Sequence, residues 1–502
     1  MAEALSLNKA VVVIGAGTMG SGIAEVAAAA GHTVYLRDAN DAAVERGIGM
    51  IRASLDKRVV RGKLDKATRD AVVARVQPTL PDGALAGVGL VIEVIYEDLE
   101  AKVKALSALE PLLPTDAIVA TNTSSLSVTA LAGRLANPER VVGMHFFNPA
   151  TVLPLVEVVR GHVTSADVAD TVFATALAWG KSPVHCRSTP GFIVNRVARP
   201  FYGEALRLLQ EQAATPATLD AVMRESGGFR MGPCELMDLI GHDVNFAVTR
   251  SVYQAFFDDP RYKPSLMQKD LVDAGWLGRK SGRGFFDYRE GATAPVVEDV
   301  EASGTPSVVR IEGDLGPARA LIEMLAQQDG IRVEQVPGAG LLRVDGLALA
   351  LTDGRSATER AAALSEPVVL FDLALDYRSC SRIAIALSAQ GSETDAATAA
   401  AFFMALGKRV SLLADVPGML VMRTVAMLVN EGAEAVYQGI ASADGVDAAM
   451  RKGVNYPMGP MEWGRAIGFD SVLRTLRHLA ASYGEDRYRA SVWLQRVVQA
   501  AA

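Results

Sequence analysis

Through the first 190 residues, short apolar runs alternate with longer stretches of helical spacing. Residues 10–14, AVVVI, are β-branched or small and apolar at every position. A run without polar alternation fits a parallel strand buried on both faces. IAEVAAAA follows with helical character and stops at Gly31, and TVYLRD, ending at Asp38, reads as the next strand. LVIEVIYED (90–98) is another, followed by a helix from about 99 to 110. IVATNTSSLSV (118–128) is a strand that runs into a polar turn, and VVGMHFF and VLPLVEVV are two more across a Pro-containing turn. Strands and helices in alternation predict an open α/β sheet.

After STPGFIVNR the period becomes helical. FIVNRVARPFYGEALRLLQEQ places apolar residues at three- and four-residue steps, and LDAVMRES and CELMDLIGHDVNFAVTRSVYQAFF continue in the same way. The segment ends in the glycine-rich DLVDAGWLGRKSGRGFFDY. Residues 290–306 are acidic with Gly, Pro and Ser, and read as a linker. An internal repeat then emerges. PGFIVNR…LDAVMRE…MGPCELMDLIG (190–241) recurs as PGMLVMR…VDAAMRK…MGPMEWGRAIG (417–468), with 16 of 52 positions identical and no gap. The dipeptide GK recurs in the same register at 180–181 and 407–408.

Composition narrows the class. Half of the 502 residues are apolar, a fifth are charged, and the net charge is −7 with no block of like charge. That balance argues against nucleic acid and against an anionic membrane surface as partners. No apolar stretch of spanning length is free of Gly, Pro or charge, and the start carries no basic n-region. The reading is a cytoplasmic protein. Three cysteines without a CxxC pair give no basis for a zinc site or a disulfide framework.

The first strand–helix junction carries chemistry. GAGTMGSG sets Gly15, Gly17 and Gly20 as G-x-G-x-x-G, so Gly15, Ala16, Gly17, Thr18, Met19 and Gly20 form a loop that can surround a pyrophosphate at a helix N-terminus. Asp38 ends the second strand at the spacing expected of an acid that binds ribose hydroxyls, which favours NAD over NADP. Arg37 precedes it and is expected to point to the other face. Ligands in such sheets sit beyond the carboxyl ends of strands, where Glu97, Asn122 and Ser124 fall. Ser124 also has a plain structural alternative as a helix N-cap. His145 and Glu157 lie on neighbouring extended runs that otherwise read as core. A buried carboxylate needs a partner, and a histidine tied to one keeps its other nitrogen free as a general base. The remaining histidines, His32, His162, His185, His242 and His478, read as solvated or structural.

Taken together, GAGTMGSGIA, TNTSSL, GMHFFNP, LVEVV and TPGFIVNR resemble the NAD-dependent 3-hydroxyacyl-CoA dehydrogenases over residues 7–289. The resemblance implies a Rossmann domain followed by an all-helical domain, NAD as cofactor and an acyl-CoA thioester as substrate. It implies His145 as catalytic base, Glu157 as its partner, and Ser124 and Asn195 as polar groups around the substrate oxygen. Glu97, Lys102, Asn122, Ser124, Asn148 and Lys280 match cofactor contacts, and Ser54, Arg61 and Ser124 match substrate contacts. The expected layout is a NAD-binding Rossmann domain at 1–188, a helical domain at 189–289 and the linker. A reduced Rossmann-like domain at 307–410 and a second helical domain at 411–502 complete it. In that second part Met422 stands at the register of Asn195, Asp372 at that of His145, and 308–325 reads as strand, turn and helix without the three glycines. One active site per chain is therefore expected, with the two helical domains as an intrachain pseudo-dimer and any further homo-oligomer left open. Two-copy relatives of this length act on 3-hydroxyadipyl-CoA in phenylacetate breakdown, and others on 3-hydroxybutyryl-CoA. A second carboxylate on the acyl chain calls for a basic residue, with Arg196, Arg199 and Arg230 as candidates. The competing classes are a non-catalytic NAD- or CoA-binding structural protein and a β-hydroxyacid dehydrogenase acting on a free acid.

Overall fold

The first valine run forms β1 (Ala10–Ile14), every residue of which is buried or nearly so. It lies inside an eight-stranded sheet with β2 (Val34–Arg37), β3 (Val76–Gln77), β4 (Val88–Glu93), β5 (Ile118–Thr121), β6 (Val141–Phe146), β7 (Leu155–Arg160) and β8 (Ser182–Arg187). The strand order is β3-β2-β1-β4-β5-β6-β7-β8, and all pairs are parallel except β6 with β7. The helices between them are α1 (Thr18–Ala29), α2 (Asp41–Val60), α3 (Lys66–Arg75), α4 (Leu99–Leu109), α5 (Val128–Ala132) and α6 (Ala166–Ala178). The short α7 (Val194–Val197) follows β8. The computed structural model describes residues 2–78, 83–302 and 304–501. The chain forms two compact units, Met1–Arg196 with Gln438–Val454, and Val197–Tyr437 with Asn455–Ala502.

The expected strand at 90–98 is shorter than its apolar run. β4 stops at Glu93, and residues 95–98 form a loop before Asp98 caps α4. The buried Glu93 is the cause. It accepts from the Ile95 amide, from Lys102 Nζ and from Thr121 Oγ1, so the backbone turns around its carboxylate.

In the second unit come α8 (Arg199–Gln210), α9 (Pro216–Glu225), α10 (Pro233–Ile240), α11 (His242–Ala255) and α12 (Leu266–Asp273). Residues 290–306, of which 303 lies outside the described residues, contain no helix or strand among those described. A seven-stranded sheet follows: β9 (Val308–Glu312), β10 (Arg332–Val336), β11 (Leu341–Val344), β12 (Leu347–Leu351), β13 (Val368–Phe371), β14 (Arg382–Leu387) and β15 (Arg409–Leu413). Its helices are α13 (Ala320–Leu325), α14 (Ala357–Leu364) and α15 (Glu393–Ala405). The last helices are α16 (Val421–Tyr437), α17 (Ala443–Gly453), α18 (Pro460–Ile467), α19 (Phe469–Tyr483) and α20 (Val492–Ala501). Of these, α17 belongs to the first unit and packs on β7 and β8. In the second unit α9 packs on β14.

The two chain halves share local devices at a constant offset of 227 residues. Phe192 and Met419 both adopt left-handed backbone after a glycine of positive φ, a conformation apolar residues rarely take. Lys181 and Lys408 are both buried and donate to main-chain carbonyls, those of Ala150 and Leu153 in one case and of Arg378 and Cys380 in the other. Asp372, at the register of His145, accepts from the amides of Leu420, Val421, Met422 and Leu373. Ala384 stands at the register of Glu157. Asp372 thus satisfies the amides that precede and open α16, and burial pushes its carboxyl up to about 6 even against those donors. Removing it leaves buried N–H groups without acceptors. Asp372→Ala is expected to cost about 3 kcal/mol, given roughly 1–3 for each unsatisfied group and partial relaxation. Urea titration checks this, and Asp372→Asn, which keeps one acceptor oxygen, is expected to lose less.

Candidate active site

Antiparallel pairing of β6 and β7 sets His145 directly opposite Glu157. Nδ1 of His145 lies 2.6 Å from Oε2 of Glu157, and both side chains are buried. The other oxygen of Glu157 accepts from the amides of Ile193 and Val194, at 3.0 and 2.9 Å. One carboxylate therefore ties the sheet to the start of α7. With Glu157 accepting on both oxygens, Nδ1 of His145 is the donor and Nε2 is left as a proton acceptor. The rings of Phe147 and Phe192 lie 4.5 and 5.8 Å from the imidazole and fix its plane.

Around this pair the polar turn after β5 is held rigidly. Asn122 Oδ1 accepts from the Phe146 amide at 2.8 Å, next to His145. Ser124 donates its amide to Glu97 at 2.6 Å and its hydroxyl to the same carboxylate at 3.1 Å. Asn195, in the first turn of α7, points its amide nitrogen at the Ser124 carbonyl, 3.5 Å away. Thr123 Oγ1 also donates to Glu97. Ser124, His145, Glu157 and Asn195 thus gather in one unit although 71 residues separate the first from the last. Ser124 does not cap α5; Ser127 does.

The glycine loop has the shape a dinucleotide needs. A Cβ on Gly20 would sit 1.7 Å from the Gly15 carbonyl oxygen, and one on Gly15 would sit 2.6 Å from the Val94 carbonyl oxygen. At Gly17 there is nothing within 4 Å. The loop is packed closed on the protein side and open on the other, at the N-terminus of α1, where Thr18 and Met19 present the first amides. Asp38 accepts from the amides of Ala16 and Ala39, both at 2.7 Å. A cleft of about 610 Å³ is lined by Gly15, Gly17, Asp38, Tyr96 and Leu109. Arg37, expected on the far face, lines the same cleft. β2 ends at Arg37, so strand alternation does not carry through to Asp38.

Other expected contacts have different surroundings. Lys102 is 1% exposed, and its ammonium is taken by Glu93, the Ile95 carbonyl and Glu97, at 2.7, 3.0 and 3.5 Å. It organises the loop that carries Glu97. Asn148 is exposed beside Pro149. Ser54 lies on α2 beside Glu25, whose carboxyl burial pushes upward, and the exposed Arg61 caps the same helix. Lys280 belongs to the second unit and pairs with Asp243 at 2.5 Å.

Two features escaped the sequence pattern. Glu93 is fully buried and anchors Lys102, and its signal was an acid inside an apolar run, as in LVEVV. His242 is not a surface residue but is fully buried, with Nε2 2.7 Å from Asp238. Asp238 also accepts from the amides of Phe285 and Phe286 and from Tyr288, and so folds the glycine-rich turn around itself.

Comparison with known proteins bears on this geometry. Residues 10–189 match the model of the 3-hydroxyacyl-CoA dehydrogenase NAD-binding domain, and residues 191–288 and 418–502 match that of the C-terminal domain of the same family. The chain belongs to the 3-hydroxyacyl-CoA dehydrogenase family. Residues 349–417 match the reduced Rossmann-fold domain of 3-hydroxybutyryl-CoA dehydrogenase. The chain is 45% identical over 480 residues to the 3-hydroxyadipyl-CoA dehydrogenase of Escherichia coli strain K12, covering 95% of each. It is 40% identical over 284 residues to a probable 3-hydroxybutyryl-CoA dehydrogenase of Bacillus subtilis strain 168, covering 56% of this chain and 98% of the relative. Among solved structures, a 3-hydroxybutyryl-CoA dehydrogenase from E. coli K12 superposes with a TM-score of 0.90 at 44% identity, covering 99% of both chains. This 3-hydroxyacyl-CoA dehydrogenase is an NAD-dependent enzyme that oxidises a 3-hydroxyacyl-CoA to the 3-oxo thioester, and its Rossmann domain is the NAD-binding part.

The glycine geometry separates two variants. Gly20→Ala forces backbone apart within the apo protein, so it is expected to lower the melting temperature and to weaken NAD binding roughly 10- to 100-fold, on a strain of about 1–3 kcal/mol. Gly17→Ala has room in the apo protein and is expected to leave its melting temperature unchanged while weakening NAD. Thermal denaturation and fluorescence titration with NADH read both.

Proposed function

We propose that His145 is the general base of this dehydrogenase, oriented by Glu157, with Ser124 and Asn195 as the polar groups about the substrate oxygen. The observation that carries this reading is the buried Nδ1–Oε2 contact of 2.6 Å, which leaves Nε2 to accept a proton. The C3 hydroxyl gives its proton to Nε2 of His145, and Glu157 stabilises the imidazolium that forms. Bound NAD supplies the acceptor for the hydride that leaves C3. Gly15 to Gly20 and Asp38 are the residues to hold that cofactor, with Glu97, Asn122, Ser124 and Asn148 as further contacts. Ser54 and Arg61 on α2 are assigned to the coenzyme A portion of the substrate. The same groups return the proton when the reaction runs toward the alcohol.

For the substrate we propose 3-hydroxyadipyl-CoA, in aromatic-acid breakdown through phenylacetate. Similarity along nearly the whole chain to the E. coli 3-hydroxyadipyl-CoA dehydrogenase supports it. 3-Hydroxybutyryl-CoA is the alternative, favoured by the name of the solved E. coli structure. A cytoplasmic location agrees with the absence, among the described residues, of any helix long and apolar enough to cross a membrane. The domain boundaries proposed are 1–188, 189–289, 307–410 and 411–502 around the linker. One site per chain is proposed, because the register of His145 and Glu157 in the second part is held by Asp372 and Ala384.

We further propose that 411–502 is a second copy of the helical domain and that the two copies form an intrachain pseudo-dimer. Reciprocal contacts support this. Glu204 on α8 accepts from Tyr488 at 2.9 Å and pairs with Arg487 at 3.8 Å, while Glu431 on α16 accepts from Tyr262 at 2.6 Å and from Arg261 at 3.2 Å. Both acids share the 227-residue register, and Arg-Tyr occurs at 261–262 and at 487–488. An exchange in which residue i of one copy meets j of the other, and the reverse, is what an isologous interface makes.

Two measurements follow. Steady-state assays with 3-hydroxyadipyl-CoA and 3-hydroxybutyryl-CoA are expected to give the higher kcat/KM with the former. His145→Gln is expected to lower kcat about 10²- to 10⁴-fold with both while NAD affinity is retained. Equal efficiency with both thioesters removes the substrate proposal, and an active His145→Gln enzyme removes the base. Residues 1–305, which span the length of single-copy relatives, are expected to dimerise through the α8 face in light scattering. A soluble monomer counts against the pseudo-dimer.

A further inference from the structure

In the second unit, α8, the turn at Pro260–Tyr262 and the N-terminus of α12 enclose a cavity of about 160 Å³, with Met427 and Arg487 closing it. Five basic side chains line it, Arg199, Arg207, Arg261, Lys263 and Arg487, against a single carboxylate, Glu204. Some of that charge is spoken for. Arg261 pairs with Glu431 and Arg207 with Glu485, and Glu204 is already occupied by Arg423 at 2.7 Å, with Arg487 more distant at 3.8 Å.

Arg199 is different. It is 8% exposed, donates to Thr249 Oγ1 and lies 4.9 Å over the Tyr202 ring, with no carboxylate partner among the described residues. The Nε groups of Arg199, Arg207, Arg261 and Arg487 and one oxygen of Glu204 are buried without a hydrogen-bond partner. So is the hydroxyl of Ser265, which stands at the N-cap of α12 yet makes no capping bond. The first amides of that eight-residue helix, whose Leu266 and Gln268 also line the cavity, therefore lack the usual side-chain acceptor.

Water can satisfy orphan donors but cannot neutralise a guanidinium removed from solvent, and an uncompensated buried charge is costly. A small oxyanion that keeps one O–H, as hydrogen phosphate does, satisfies these demands at once, because the N–H donors and the helix N-terminus find acceptors and the Glu204 oxygen finds a donor. We propose that this cavity is a binding site for one free small oxyanion, of the inorganic phosphate class, separate from the dinucleotide cleft. Its volume of about 160 Å³, against about 610 Å³ for that cleft, suits a small anion rather than a nucleotide. The anion joins Arg199, Arg261 and Ser265 to Arg487, which is distant in sequence, and so clamps early helices to the last segment of the chain.

The test uses the full chain saturated with NAD, so that the dinucleotide site is filled. Potassium phosphate is titrated calorimetrically against potassium chloride of equal ionic strength. One phosphate-binding event per chain is expected to weaken roughly tenfold or more in Arg199→Gln, the loss of a charged hydrogen-bond partner, and less in Arg199→Lys. Phosphate is also expected to raise the melting temperature of the wild type and not of Arg199→Gln. Ser265→Ala, a milder change, is expected to weaken binding severalfold and serves where Arg199→Gln fails to fold. Phosphate binding that is absent in the wild type, or identical in the wild type and both variants, means a cavity holding water only and overturns the proposal. A KM increase in Arg199→Gln confined to a thioester with a second carboxylate, without any phosphate effect, moves Arg199 to the substrate and overturns it as well.

Discussion

The carboxylate of Glu157 is the constraint on which the site depends. It is removed from solvent on a strand whose other buried residues are apolar, and a lone ion there costs several kcal/mol. Its two oxygens meet that cost in different ways. One takes the imidazole of His145 across the antiparallel pair, and the other takes two amides at the start of α7. The same group therefore orients the base and positions the helix that carries Asn195. Catalytic geometry and the passage from sheet to helix are a single hydrogen-bond arrangement.

The second part of the chain solves the structural half of that problem without the chemical half. Asp372 stands where His145 would, takes the amides at the start of α16 itself, and faces Ala384 instead of an acid. A carboxylate is kept because a helix start buried against a sheet needs an acceptor for its N–H groups. The imidazole is dispensable there because packing makes no demand on it. This is how a fold unit can lose a reaction and keep its shape.

Buried charge recurs where separate segments meet at depth. Glu93 turns the loop after β4 with Lys102 as counter-ion, Asp238 gathers the glycine-rich turn, and Arg423 joins Glu204 and Glu211. In each case several donors or acceptors converge on one ion, so the desolvation cost is shared out and the geometry becomes specific. Arg199 departs from this rule, with no carboxylate partner among the described residues.

The sequence alone determined what depends on local order: the strand–helix–strand around the three glycines, the change of period near residue 190, the ungapped repeat, and the two extended runs that carry His145 and Glu157. Their pairing was legible because a side-chain period of two, with one turn between the runs, leaves few registers. Only the tertiary structure decided the rest. It put Arg37 in the cleft beside Asp38, buried His242 on Asp238, buried Lys102 under Glu97, and carried α17 away from its neighbours in sequence to pack on β7 and β8. The physical reason is that local periodicity says which face of an element is apolar, whereas the partner of a buried charge is chosen by whichever distant segment can reach it at the lowest desolvation cost.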